Sequence, residues 1–69
     1  MNDTVKEFED LIVRMTQRAM PGLVRDHEIA WAYNPSQWME YKNTVREAGE
    51  HARQRGLVVR IPEGWAARL

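Results

Sequence analysis

The chain of 69 residues contains no cysteine, which excludes disulfides and thiolate metal sites as sources of stability. Its two histidines, His27 and His51, are too few for a structural zinc cage. Asp26-His27-Glu28 and the i,i+4 pair Glu47/His51 have ligand-type side chains, but paired surface charges account for both, so no metal is expected. Serine occurs once, at Ser36, in a stretch that reads as a helix start with no histidine nearby in sequence. No nucleophile and base are paired, and no enzymatic activity is expected. A Gly-rich phosphate loop is missing too: the four glycines are isolated and read as punctuation between elements. No apolar run approaches the roughly 20 residues that cross a bilayer, and the opening MNDTVKEFED is acidic where a secretory leader is basic. These absences predict a soluble cytoplasmic protein with no membrane association and no cofactor.

Lysine is scarce, with two residues against eight arginines. Arginine's planar fork suits interfaces and stacks on aromatic rings, whereas lysine mainly serves solubility. Ten basic and ten acidic residues cancel, which argues against a protein devoted to coating nucleic acid or membranes. A chain this short buries only about 60% of its unfolded surface and is marginally stable alone. With disulfides and metals excluded, association with a second copy or a partner is the expected support.

What the sequence does contain is helical periodicity. Val5, Phe8, Ile12, Met15 and Ala19 recur at 3-4-3-4 spacing, one stripe of a helix over about residues 4–20. Asp3 or Thr4 is placed to cap it, Arg14 and Arg18 lie near its C-terminus, and Pro21-Gly22 ends it. A second stripe runs through Trp38, Tyr41, Val45, Ala48 and Ala52. Asn34 reads as its N-cap, Pro35 as its first residue and Gly56 as its end, giving a helix over about 35–55. In both stripes the bulk comes early and the small residues late. An antiparallel pair would therefore set Phe8 against the alanines and Trp38 against Ala19. The expected fold is mostly α: this antiparallel pair, within one chain or between two, dimerising into a small helical bundle. Phe8, Ile12, Met15, Trp38, Tyr41 and Val45 form its core or dimer seam.

Between the helices, residues 21–34 read as a loop or as a short helix from His27 to Tyr33 capped by Asp26. After Gly56, LVVRI has the β-branched content of a strand and PEG makes a turn before WAARL. No second strand is evident. Residues 57–69 are thus expected as an extended tail of a single 1–69 domain, packed on the helices or offering an edge to a partner's strand.

Trp31, Tyr33 and Trp65 fall outside both stripes, and with Arg25, Arg53 and Arg55 they are the residue types that dominate protein interfaces. The function expected first is a small, homodimeric, protein-binding regulator that occludes or inhibits a larger protein, such as a transcription factor. Small helical proteins of this kind are often carried by phages and mobile elements. The alternative is a dimeric DNA-binding regulator using Arg53, Arg55 and Arg60, with LVVRIPEGW as a wing. Two features weigh against it. With Ala30 as the small residue of a helix-turn-helix unit, a buried position of the recognition helix would fall on Glu40, and PSQWMEYK offers few bases where base contacts arise.

Overall fold

The computed structural model describes residues 3–68; Met1, Asn2 and Leu69, the ends of the expected 1–69 domain and of its 57–69 tail, lie outside the described residues. Three helices, α1 (Asp3–Ala19), α2 (Asp26–Tyr33) and α3 (Lys42–Gln54), are followed by two strands, β1 (Val58–Ile61) and β2 (Gly64–Ala67). The Cα radius of gyration is 10.7 Å, against about 11 Å for a folded domain of this length. The two striped helices pack on each other within one chain.

The stripe of α1 turns inward as its periodicity predicts: Val5, Phe8 and Ile12 are buried, and Met15 and Ala19 pack at the core's margin. Thr16 is buried as well, and its hydroxyl donates to the carbonyls of Ile12 at 2.8 Å and Val13 at 3.0 Å. That satisfies a polar group that would be costly to bury unpaired.

The short helix forms, with one change at its start. Arg25, in extended conformation, occupies the cap position, and its backbone N–H donates to the Glu28 carboxylate at 3.2 Å. Glu28 thereby supplies half of a capping box, and Asp26, expected as the cap, becomes the first helical residue with its side chain free for other work.

The second long helix starts later than expected, at Lys42 instead of residue 35. The side-chain oxygen of Asn34 accepts from Ser36 N–H at 3.1 Å, and successive i→i+3 bonds join Gln37 to Asn34 and Glu40 to Gln37. The chain therefore passes through a turn and a 3₁₀ segment, Trp38–Tyr41, before α3 begins. Residues three apart eclipse in a 3₁₀ helix, so Trp38 and Tyr41 reach the same side and pack half-buried against the core. Val45, Ala48 and Ala52 are fully buried beneath α3. Its end is the expected one: Gly56 adopts φ 76°, with Gly56 N–H bonded to Arg53 and Leu57 N–H to Ala52, the reciprocal pattern of a Schellman cap.

The tail is the main departure. Residues 58–67 form a hairpin, with Val58 opposite Ala67 and Ile61 opposite Gly64 across the Pro62-Glu63 turn. The strand that LVVRI was expected to lack is GWAA, whose glycine and alanines carry little strand propensity. A third element joins them: Val24 and Trp65 exchange both backbone bonds at 2.8 Å. β2 is thus in the middle, flanked by β1 and by Val24, two residues ahead of α2. A side chain on Gly64 would collide with the Val24 carbonyl, so this pairing requires glycine there.

Trp65, expected at a partner surface, is only 1% exposed. Its indole lies where a Cβ on Gly49 of α3 would stand, and the Arg60 guanidinium sits 4.6 Å from the ring centroid on another side. Gly49→Ala would gain about 1 kcal/mol of helix propensity on an exposed helix. Here the methyl has to displace a buried ring, which costs about 1–3 kcal/mol. The variant should melt at a lower temperature than wild type; equal or higher melting would show that the indole does not rest on Gly49.

Candidate functional site

The sharpest concentration of function-bearing side chains lies where α2, α3 and the hairpin meet. Asp26, at the start of α2, receives the Trp65 indole N–H on Oδ1 at 2.6 Å. The same carboxylate pairs with Arg60 of β1 at 3.5 Å and, through Oδ2, with Arg46 of α3 at 3.4 Å. Arg46 and Arg60, with Glu50 and Trp65, line a groove of about 340 Å³. Beyond Arg60 a second groove, about 520 Å³, is lined by Arg53, Val58, Val59, Arg60 and Arg68. Arg60 belongs to both, so the two grooves adjoin and together carry Arg46, Arg60, Arg53 and Arg68, with Glu50 among them. Arg53 is bonded to Glu50 one turn earlier on α3. That contact holds the Glu50 carboxyl below its ordinary range and raises the Arg53 guanidinium. Among the described residues no carboxylate pairs with Arg68.

The arginines expected at a partner surface are dispersed. Arg25 is exposed and lies 3.8 Å from Glu28. Arg55 bonds at 2.7 Å to Glu9, whose side chain is only 3% exposed; it staples α1 to the connection between α3 and β1. Only Arg53 falls on the basic strip. Neither type nor spacing singles out Arg68, and Asp26 stands out in the sequence as a helix cap and a ligand-type side chain, not as the hub it is. The hint available was Gly49, a glycine inside a strongly helical run, which signals a close neighbour more than a break.

The aromatic residues divide. Phe8, Tyr33 and Tyr41 form one cluster, with ring centroids 4.2 Å apart for Phe8–Tyr33, 5.5 Å for Phe8–Tyr41 and 5.2 Å for Tyr33–Tyr41. Tyr33 therefore belongs to the margin of the core, and its hydroxyl donates to Glu7 at 3.4 Å. Trp31 stays outside, 58% exposed, on the outer side of α2, and Met39 in the neighbouring 3₁₀ segment is 71% exposed. His27 meets Trp38 edge-on at 6.4 Å.

Among the described residues no three His, Asp or Glu side chains come together as a metal cage, and no helix is long and apolar enough to cross a membrane. Comparison with protein-family models, with curated proteins and with solved structures finds no match to this chain.

Partial desolvation, then the Glu7 and Tyr41 side chains, raise Tyr33 above its ordinary value of 10.0. A raised folded-state value favours the neutral phenol, so its contribution is complete below pH 10.0 and is lost as pH rises through the folded value. Followed by tyrosinate absorbance, the later-ionising component should vanish in Tyr33→Phe and shift down in Glu7→Gln. Ionisation of Tyr33 at the ordinary value would place it outside the cluster.

Proposed function

We propose that the chain binds duplex DNA through the outer side of α3 and the β1–β2 hairpin. The observation that carries this reading is the strip Arg46, Arg60, Arg53 and Arg68, assembled on one surface of a molecule whose total charge is zero. Guanidinium groups beside a short hairpin suit phosphate contacts, which give affinity and position on the duplex. The element order supports the same reading. Two helices, a third after a turn, then a hairpin whose last strand pairs back to Val24 in the connection before the second helix is the layout of a helix-turn-helix unit with a C-terminal wing.

Both features that weigh against DNA binding in the bare sequence assume a short turn followed at once by the recognition helix. With α3 starting at Lys42, Glu40 precedes the helix and the buried positions are Val45, Ala48, Gly49 and Ala52. The residues at its N-terminal end are Lys42, Asn43 and Arg46, all exposed. Asn and Arg are the side chains that pair with adenine and guanine edges in the major groove. Pairing of two copies would give two such helices for a twofold site, in the compartment where DNA lies.

A second reading, a regulator that occludes a larger protein, is favoured by Trp31 and Met39, the most exposed large apolar side chains among the described residues. Scrambled duplex DNA separates the two. If three arginines reach phosphates, affinity should fall roughly 40-fold for a fourfold rise in salt. Trp31→Ala should leave that binding intact. No complex at low salt would remove the DNA reading, and light scattering that returns a monomer mass with and without DNA would remove the dimer.

A further inference from the structure

The arginines of the strip are not equally free. Arg46 and Arg60 both lean on Asp26, at 3.4 and 3.5 Å, distances at the long end for charged partners. Both keep much of their side chains in water, 62% exposed for Arg46 and 40% for Arg60, whereas Asp26 is 15% exposed. The carboxylate is the fixed member of the group. It is held by the Trp65 indole at 2.6 Å, and it lies in the first turn of α2, where the helix dipole favours a negative charge. The arginines are long and flexible; among the described residues Arg46 is tethered to Asp26 alone, and Arg60 lies over the Trp65 ring as well. A phosphate oxygen presents to them the same chemistry as Asp26: a fixed anionic acceptor for N–H donors.

We infer that Asp26 is a built-in competitor of phosphate, occupying Arg46 and Arg60 in the free protein and setting how much of the basic strip is available to DNA. The inference rests on the DNA-binding reading and adds a residue to it that touches no nucleic acid. Binding then exchanges one anionic partner for another at Arg46 and Arg60, so these two add less affinity than their exposure suggests. Arg68, which has no carboxylate partner among the described residues, adds its full share. Asp26 also anchors the core through Trp65, so stability and affinity are set against each other at one side chain.

Asp26→Asn tests this, because the amide oxygen still accepts the indole N–H while the charge is gone. Measured by anisotropy with a fluorescein-labelled duplex of scrambled sequence, the full-length variant should bind roughly fivefold more tightly at low salt. Its log–log salt slope should be steeper by about one. A folded Asp26→Asn protein with unchanged or weaker affinity would overturn the inference while leaving the DNA reading standing. Absence of wild-type binding would remove both. Should the variant not fold, Arg46→Gln and Arg68→Gln in the wild-type background decide. Loss of affinity confined mainly to Arg68→Gln supports the inference, and equal losses overturn it.

Discussion

The position of one indole ring is the constraint on which the rest of the molecule depends. Trp65 rests on the bare backbone of Gly49, has Arg60 across its face and is pinned by Asp26. Its own backbone pairs with Val24 on one side and, opposite Arg60, with β1 on the other. Burying a tryptophan removes about 200 Å² from water, worth up to roughly 5 kcal/mol. The whole net stability of a domain this size is about 3–10 kcal/mol. A single side chain thus contributes on the scale of the total, and it does so by tying α2, α3 and both strands to one another. With no cysteine to form a disulfide, a chain of this length needs such a knot.

Two lesser fastenings complete the structure. The Phe8, Tyr33 and Tyr41 cluster joins α1 to α2 and to the approach to α3, and the buried Glu9 receives Arg55 from the far end of α3. A buried carboxylate left alone would be strongly unfavourable, so Arg55 is required for the fold even though most of its side chain is in water. An exposed arginine of this kind is easily mistaken for a recognition residue when only the sequence is in view.

Periodicity made α1, the packing side of α3 and the cap at Gly56 legible, because those signals are local. The hairpin was not, since GWAA becomes a strand through tertiary pairing and not through its own propensity. Trp65 lay off both helical stripes for the same reason: its partner is a missing side chain at Gly49, and an absence has no periodicity. The start of α3 was displaced because Asn34 and Pro35 satisfy the rules for an α-helical start equally well when they open a turn. The basic strip was hidden by a sum. Equal numbers of acids and bases exclude a uniformly basic protein, but they say nothing about where the charges stand once the chain is folded.

The placement of Asp26 shows how closely local and tertiary roles are linked. A residue that caps its own helix spends its carboxylate on backbone N–H groups two or three positions ahead. In α2 the Glu28 side chain reaches back to the Arg25 N–H instead, and the cap position passes to a residue with no capping side-chain bond. Asp26 therefore enters the helix with both oxygens available, one for the Trp65 indole and both for guanidinium groups of α3 and β1. The core's pin and the basic surface's counter-charge are therefore the same group. The first residue of an eight-residue helix thus joins the packing of the hairpin to the charge of the strip, through its contacts to Trp65, Arg46 and Arg60.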